Sequence, residues 1–280
     1  MGALKVIANG LEHHVVTWGD EAADPVLLLH GFMDAGATWD LVAPAIADAG
    51  FRVLAPDLRG FGESATVSPG GYYHFPDYIA DLAELAPKKP LRVVGHSMGG
   101  TAATLFSGAQ PERVKALVLI EGVGPPDNAP ELAPDRMRRW LDQLASDRPE
   151  KPIASMDDAV KRLRVNHPHV PDDVLRSRAV HLVRKDESGT FRWAFDPLHR
   201  TTSPMPFFSS VFRAFAARVT CPVLFVGGGE NGWHPIDEAE RVAAFQHLER
   251  IDIEGAGHMV HWTKPTELAR AILDFFEQRR

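Results

Sequence analysis

The hydrophobic residues of this chain are concentrated in short continuous runs, which are separated by longer segments with helical periodicity. Five runs have the length and apolar character of strands buried on both faces, at residues 26–29, 51–55, 91–94, 114–120 and 222–226. Strands that alternate with helices at this spacing predict a mostly parallel sheet with helices on both sides. The predicted fold class is therefore α/β.

Weaker strand patterns extend this sheet at both ends of the chain. Residues 3–8 and 13–18 flank Asn9-Gly10, a dipeptide typical of hairpin turns, and residues 248–253 form a further strand. Helices are predicted near residues 37–49, 75–86, 98–109, 235–246 and 264–279. The complete prediction is an eight-stranded, mostly parallel sheet with helices on both faces.

The pattern changes between residues 123 and 206, where no buried strand is recognised. This segment contains proline and glycine breaks and helical pieces near 134–145, 155–165 and 171–184. Its formal charge is +1, whereas the rest of the chain carries −8. Because the break directly follows a strand end, we predict a helical cap at 123–206 over the carboxyl edge of the sheet. Residues 1–122 and 207–280 then form the core domain.

The strand at 91–94 leads through a sharp turn, Gly95-His96-Ser97-Met98-Gly99, directly into a helix. A serine on such a turn crowds its neighbours, so the chain needs glycine two positions before and two positions after it. The turn raises the hydroxyl at the carboxyl edge of the sheet and directs the first N–H groups of the helix toward the atom under attack. Ser97 is therefore the candidate nucleophile.

A serine hydroxyl needs a base within hydrogen-bond distance, and the chain offers 13 histidines. His258 is the best candidate, because its Gly-x-Gly-His loop follows the last strand and returns to the edge that carries Ser97. His13 and His14, in the N-terminal hairpin, are expected at the surface. No set of histidines has recognisable metal-ligand spacing, so no metal site is predicted.

An oxyanion that forms during acyl transfer needs two backbone donors that are already aimed at it. The N–H of Met98 follows the nucleophile. The N–H of Phe32 follows His30-Gly31 at the end of the neighbouring strand, where glycine lets the backbone approach closely. These two groups are the predicted oxyanion hole.

Composition excludes several classes of function. A net charge of −7 argues against nucleic acid as a partner, and no apolar run approaches the roughly 18 residues of a membrane span. The one cysteine, Cys221, excludes an internal disulfide framework, and no signal peptide is recognised, so a cytoplasmic protein is expected. We expect a small-molecule substrate, no cofactor, and a monomer or homodimer.

Together these motifs resemble the α/β-hydrolase superfamily over about residues 20–122 and 218–279. The matching pieces are His30-Gly31-Phe32, Pro56-Asp57-Leu58-Arg59-Gly60-Phe61-Gly62, Gly95-His96-Ser97-Met98-Gly99-Gly100 and Gly255-Ala256-Gly257-His258. The resemblance implies Ser97 as nucleophile and His258 as base. It is closest to the capped serine hydrolases and esterases, whereas epoxide hydrolases and haloalkane dehalogenases of this superfamily carry an aspartate nucleophile.

The third member of the triad departs from the family pattern. The usual aspartate position, after the strand at 222–226, falls near Asn231, and an amide cannot offset the charge of an imidazolium. Two carboxylates remain as candidates. Glu121 lies at the tip of the strand that follows the nucleophile helix, and Glu230 lies one residue before the usual position. We favour Glu121, because a strand tip is a more rigid support than a glycine-rich loop.

These residues predict a serine hydrolase that cleaves a carboxylic ester or related acyl compound through a Ser-His-Glu triad and an acyl-enzyme. A C–C bond hydrolase, a lactonase, a thioesterase and a perhydrolase are alternatives on the same fold. The non-enzymatic alternative is a small-molecule binding protein or receptor with a degenerate triad. Five residues are expected to line the substrate pocket: His30, Gly31, Trp140, Trp193 and Phe207.

Overall fold

One sheet of eight strands forms the centre of the computed structural model, which describes residues 1–146 and 151–279. Residues 147–150 of the predicted cap and Arg280 of the predicted core lie outside the described residues. The strands are β1 (Gly2–Ala8), β2 (Leu11–Trp18), β3 (Asp24–Leu29), β4 (Phe51–Pro56), β5 (Leu91–His96), β6 (Val114–Ile120), β9 (Val223–Gly227) and β10 (Leu248–Asp252). A separate hairpin contains β7 (Val183–Lys185) and β8 (Phe191–Trp193).

The strand order in the large sheet is β1-β2-β4-β3-β5-β6-β9-β10. Strand β2 pairs antiparallel with β1 and with β4, and the other neighbouring strands run parallel. The predicted eight-stranded, mostly parallel sheet is confirmed. Parallel strands end at the same edge, so the tips of β3, β5, β6 and β9 meet on one side of the molecule.

Two apolar cores, one on each face of the sheet, explain why the strands are continuously hydrophobic. In β3, Leu27 and Leu29 belong to one core, whereas Val26 and Leu28 belong to the other. Successive strand side chains point to opposite faces, so a strand covered on both sides needs apolar residues at successive positions.

The described residues form helices α1 (Ala43–Asp48), α2 (Phe75–Leu85), α3 (Met98–Ala109), α4 (Ala133–Ala145), α5 (Met156–Asn166), α6 (Asp172–Leu182), α7 (Ser209–Ala216), α8 (Glu238–Ala243), α9 (Val260–Thr263) and α10 (Pro265–Glu277). The helix predicted at 37–49 is a 3₁₀ turn followed by α1, because Pro44 lacks the N–H that would continue one helix. Within residues 1–146 and 151–279, no helix has both the length and the apolar character needed to cross a bilayer.

The cap segment contains the three predicted helical pieces, as α4, α5 and α6, together with the short β7-β8 hairpin. The helix predicted to reach residue 184 ends at Leu182, and β7 begins at the β-branched Val183. Asp186 stabilises the hairpin turn, since its carboxylate accepts hydrogen bonds from the N–H groups of Ser188 and Thr190. The periodicity around residue 183 did not reveal this turn. The boundaries of the cap at 123 and 206 stay a prediction.

The cap joins the core along the glycine-rich loop that follows β4. Gly62 donates its N–H to the carbonyl of Ala194 (2.6 Å), and Asp196 donates to the carbonyl of Gly60 (2.7 Å). His199 packs between the rings of Phe61 and Tyr73, with centroid separations of 3.9 and 3.8 Å. The cap therefore rests on the core through buried contacts.

Backbone contacts fix the turn around Ser97. A Cβ placed on Gly99 would lie 2.4 Å from the carbonyl oxygen of Leu29, and one on Gly95 would lie 2.5 Å from that of Gly99. A Cβ on Gly100 would lie 2.8 Å from Cα of Gly122. Helix α3 therefore begins in direct backbone contact with the ends of β3 and β6, at distances that only glycine permits.

We expect Gly99→Ala to lower the free energy of unfolding by at least about 2 kcal/mol, because the added methyl group would meet backbone that cannot move aside. Gly189→Ala is the matched control. Its methyl group would meet no atom within 4 Å, so only the left-handed backbone opposes it, at about 1 kcal/mol. Urea denaturation measures both. Equal losses would contradict the proposed backbone contact.

The buried His199 predicts a pH dependence of stability. Burial lowers its pKa to about 4, whereas the unfolded value is about 6.5. Between these values the unfolded chain binds a proton that the folded chain does not, so stability falls as the pH falls. From pH 7 to pH 5 this single group should remove about 2 kcal/mol.

The His199→Gln variant should therefore lose less stability between pH 7 and pH 5 than the wild type. Its amide can still bond to the carbonyl of Arg59, which the imidazole contacts at 3.2 Å. The exposed His247, changed to Gln, serves as the control and should leave the slope at the wild-type value. Identical slopes for the wild type and His199→Gln would exclude this explanation.

Candidate active site

Ser97 lies on the predicted turn between β5 and α3. Its backbone has φ 51° and ψ −116°, which is a left-handed conformation that few non-glycine residues adopt. Its N–H donates to the carbonyl of Ile120 (2.9 Å), and this bond holds the strained turn against the end of β6. The hydroxyl therefore stands at the carboxyl edge of the sheet in a fixed orientation.

His258 lies between Ser97 and Glu121 and contacts both. Its Nε2 is 3.1 Å from Ser97 Oγ, and its Nδ1 is 3.3 Å from Glu121 Oε2. Since a carboxylate only accepts hydrogen bonds, Nδ1 carries the proton in the neutral ring, and Nε2 is left to accept from the serine hydroxyl. This is the tautomer that a general base requires.

The carboxylate of Glu121 is almost completely buried, at 1% exposure. Its Oε1 accepts the N–H of Gly228 at 2.6 Å, and its Oε2 accepts the N–H of Trp233 in addition to facing His258. Its own N–H donates to the carbonyl of Val226 (3.0 Å). Backbone donors thus compensate for the loss of water around this charge.

The other candidate acid has no comparable contacts. Glu230 is exposed in a 3₁₀ turn, and among the described residues its side chain has no hydrogen bond or ion pair. The glycines around it serve a different purpose, since a Cβ on Gly232 would lie 2.7 Å from Oε1 of Glu121. The loop from Gly228 to Trp233 therefore encloses Glu121. Consecutive glycines after a strand tip were the sequence signal for this close approach.

His30 orients the loop that carries the predicted oxyanion donor Phe32. Its Nε2 accepts the N–H of Leu58 (2.9 Å), so its Nδ1 carries the proton and donates to the carbonyl of Gly31 (2.7 Å). This carbonyl and the Phe32 N–H belong to one trans peptide and point in opposite directions. Fixing the carbonyl therefore fixes the direction of the N–H group.

The two predicted donors lie beside the turn. A Cβ on Gly31 would come within 3.2 Å of Ser97 Cβ, so the loop before Phe32 touches the serine. Met98 follows Ser97 at the first position of α3. Neither the Phe32 N–H nor the Met98 N–H donates to an acceptor within the described part of the chain. Both remain available to a ligand.

A second polar chain lies beneath this site. His96 is fully buried, and its Nε2 donates to the backbone carbonyl of His258 (2.9 Å). The neighbouring His261 bonds through Nε2 to Asp34 Oδ2 (3.0 Å). Burial lowers the pKa of His96 well below its usual value and also lowers that of His261. One ligand atom from each of Asp34, His96 and His261 lies within 4.8 Å of the others.

A cavity of about 1230 Å³ opens above Ser97 and His258. Its floor includes Phe32, and its roof comes from the cap, with Leu163 and Trp193 among the lining residues. The cap therefore covers the candidate site, and the cavity can hold a ligand larger than a short ester.

The structure differs from four of the five pocket predictions. Among these residues only Trp193 lines the cavity. Trp140 packs on Tyr72 instead, with ring centroids 5.0 Å apart. Phe207 lies under the guanidinium of Arg241, at 5.3 Å. His30 lies below the loop, and Gly31 touches the serine turn without lining the cavity. The tendency of aromatic residues to line pockets does not reveal which of them pack against a neighbour, so it misplaced Trp140 and Phe207.

Two histidines expected at the surface have buried partners. His13 is fully buried and lies 3.2 Å from Asp81, which also accepts two hydrogen bonds from Arg59. His14 lies 2.8 Å from Asp57, and this hydrogen bond raises the pKa of His14. The surface prediction was therefore wrong for His13, whereas His14 is partly exposed. The partners lie 68 and 43 residues away in sequence, so no local pattern marks these pairs.

Comparison with known proteins places this geometry in a family. A family model described as the alpha/beta hydrolase fold matches residues 24–265. A serine hydrolase-like protein from Danio rerio is 34% identical over 276 residues, covering 93% of this chain and 83% of that protein. An esterase from Mycobacterium tuberculosis is 29% identical over 272 residues, covering 92% of this chain and 85% of that protein.

A solved structure gives the same result for the fold. The thioesterase domain from the curacin biosynthetic pathway superposes with a TM-score of 0.85 at 26% identity, covering 98% of this chain and 99% of that chain. The superposition and the family match both cover most of this chain. The chain belongs to the α/β-hydrolase family.

Proposed function

We propose that this protein is a serine hydrolase that cleaves a carboxylic ester or a related acyl compound. One observation carries the proposal. Ser97 Oγ, His258 and Glu121 form a continuous chain of contacts, 3.1 and 3.3 Å long, at the floor of a cavity. An aligned serine, imidazole and carboxylate is the arrangement that activates a hydroxyl for acyl transfer.

In the first step the Ser97 oxygen attacks the carbonyl carbon of the ester, while Nε2 of His258 takes the hydroxyl proton. The carbonyl oxygen becomes an oxyanion that accepts the N–H groups of Phe32 and Met98. When the tetrahedral intermediate collapses, the bond to the alcohol oxygen breaks. The alcohol leaves with the proton from His258, and the acyl group stays on Ser97.

In the second step a water molecule replaces the alcohol. Nε2 of His258 takes one of its protons, and the water oxygen attacks the acyl carbon. The bond to Ser97 Oγ then breaks and the serine recovers a proton from His258, which releases the carboxylic acid. Glu121 keeps its charge throughout, holds the Nδ1 proton in place and stabilises the imidazolium.

The names of the relatives support acyl transfer in general. The Mycobacterium tuberculosis protein is an esterase, and the curacin domain is a thioesterase. An oxygen ester and a thioester react through the same steps, so the thioester is the second candidate substrate class. On the sequence grounds given above, we also propose a cytoplasmic location and a monomer or homodimer.

We expect Ser97→Ala to abolish hydrolysis of p-nitrophenyl esters and labelling by a fluorophosphonate. The loss should be about 10⁴-fold or more, because the members of a triad act as a unit. A series of acyl chains from acetate to laurate, and matching acyl thioesters, would identify the preferred substrate. Wild-type turnover in Ser97→Ala would refute the assignment, and ester binding without turnover in the wild type would support a binding protein.

Glu121→Gln should reduce turnover by about 10⁴-fold, since an amide can donate to Nδ1 and stabilise the wrong tautomer of His258. Glu230→Gln, the matched control, should change turnover by less than about tenfold, because its carboxylate is exposed and has no partner among the residues that the structure describes. Measuring kcat for both variants tests which glutamate is the triad acid. A larger loss in Glu230→Gln would show that the acid is Glu230, in the loop after β9.

A further inference from the structure

Three buried side chains that the proposed proton transfers do not involve lie directly beneath the candidate site. Asp34, His96 and His261 are each at most 3% exposed. They come from the loop after β3, the end of β5 and helix α9. These segments carry or adjoin the predicted oxyanion donor Phe32, the nucleophile and the base. Contacts made by the three side chains therefore connect the working parts of the site.

His96 ties the base to the turn that carries the nucleophile. Its Nε2 donates to the backbone carbonyl of His258 (2.9 Å), and it directly precedes Ser97 in the chain. Because this carbonyl and the imidazole of His258 branch from the same Cα, the hydrogen bond restricts where the imidazole can project. On the other side of the ring, a Cβ on Gly31 would lie 2.8 Å from Nδ1 of His96. The His96 ring is therefore held between the loop of His258 and the loop of Phe32.

The pair formed by Asp34 and His261 joins the same two loops by a second contact. Oδ2 of Asp34 is 3.0 Å from Nε2 of His261, and Nε2 carries the proton because a carboxylate only accepts hydrogen bonds. Oδ1 accepts the N–H of Ala35 (2.9 Å) and the hydroxyl of Thr38 (2.7 Å), so the carboxylate is held in one orientation. Helix α9, which begins just after the loop of His258, is therefore fixed to the loop after β3.

Aromatic rings support the base from beneath. Trp39, His261, His96 and His258 form a row whose successive ring centroids are 4.7, 4.4 and 4.9 Å apart. Trp39 is completely buried at the far end of this row. Flat rings in close contact leave little room for the next ring to shift, because protein interiors are close-packed. The position of the His258 imidazole therefore depends on the two histidines below it.

Packing alone does not explain why both of these positions hold histidine. Nδ1 of His96 and Nδ1 of His261 are buried and have no hydrogen-bond partner among the described residues. Burial lowers the pKa of both imidazoles, so each is neutral at pH 7 and has a single N–H, on Nε2. A buried acceptor without a partner costs stability that an apolar side chain of similar size would not lose. The two Nε2 hydrogen bonds are what an apolar side chain could not supply.

We propose that Asp34, His96 and His261 are positioning residues for the hydrolysis. They act through His258 and hold its imidazole in line with Ser97 Oγ, at a fixed distance from the oxyanion donors. A displacement of about 1 Å from the productive geometry can reduce turnover on the order of 10²-fold. The effect on turnover rests on the proposed function, whereas the alignment of the imidazole is a property of the free protein.

Methionine and glutamine variants of His96 separate the hydrogen bond from the volume of the ring. Both side chains are about as long as histidine, but only glutamine presents an N–H near the position of Nε2. We expect His96→Met to lower kcat about 10²-fold and to change KM less than about threefold, because the walls of the cavity keep their contacts. His96→Gln should recover kcat to within about tenfold of the wild type. The same two changes at His261 should rank in the same way.

His13→Met is the matched control, because it also breaks a buried contact between a histidine and an aspartate. His13 is fully buried and lies 3.2 Å from Asp81, outside the candidate site. Urea denaturation should show a loss of stability similar to that of His261→Met, whereas kcat and KM should stay at the wild-type values. Equal kcat values in His13→Met and His261→Met, or a His96→Gln variant no more active than His96→Met, would overturn the proposal.

Proton NMR of the free protein tests the alignment without a substrate. The Nδ1 proton of His258, which faces Glu121 at 3.3 Å, should give a resonance far downfield that is absent from His258→Gln. We expect His96→Met and His261→Met to shift or remove this resonance, and His13→Met to leave it unchanged. An unchanged resonance in both His96→Met and His261→Met would refute the positioning role.

Circular dichroism establishes that each variant is folded. Should either methionine variant at His96 or His261 not fold, Asp34→Asn takes its place. Its amide still accepts the hydroxyl of Thr38 but presents an N–H where His261 needs an acceptor, so it should lower kcat and move the resonance in the same way. A wild type that hydrolyses no ester would refute the proposed function alone, because the NMR comparison still decides whether these residues position His258.

Discussion

The buried carboxylate of Glu121 is the constraint on which the rest of the site depends. A charge removed from water needs hydrogen-bond donors, and two loops supply them: the loop after β9 through the N–H groups of Gly228 and Trp233, and the loop after β10 through His258. The loops can reach the carboxylate only because glycine occupies the positions of closest approach. The need to compensate this buried charge therefore fixes the positions of the tips of β6 and β9. It also fixes the loop from Gly228 to Trp233 and the orientation of the His258 imidazole.

The features that follow local rules could be predicted from the sequence. Continuous apolar runs identified the buried strands, and glycine spacing identified the turn around Ser97 and the loop before His258, because each depends on residues close together in the chain. The sequence favoured Glu121 over Glu230 as the acid but could not decide between them, since the answer depends on which loop folds over which strand tip. The orientation of Trp140 and the pairing of His13 with Asp81 depend on contacts across the fold, and no local pattern encodes them.

The cap and the core share one buried apolar cluster, so the packing of each stabilises the other. Leu163 and Trp193 of the cap belong to the same buried cluster as Leu29 and Phe61 of the core. Backbone hydrogen bonds join the two along the loop after β4, and His199 fills the space between them. Burial of the apolar face of the cap therefore depends on the core, and the covered cavity is a consequence of the packing that stabilises the chain.

The acid position at Glu121 and the usual acid position at Asn231 suggest how the acid of a triad changes place during evolution. Asn231 stands where related hydrolases usually have aspartate, and its backbone oxygen would lie 3.4 Å from a Cβ on Gly257, next to His258. Neighbouring strands β6 and β9 therefore offer two supports around a single imidazole. An ancestor with a carboxylate on both supports retains a complete triad when either one mutates to an amide. On such a scaffold the acid can move from one strand to the next without an inactive intermediate.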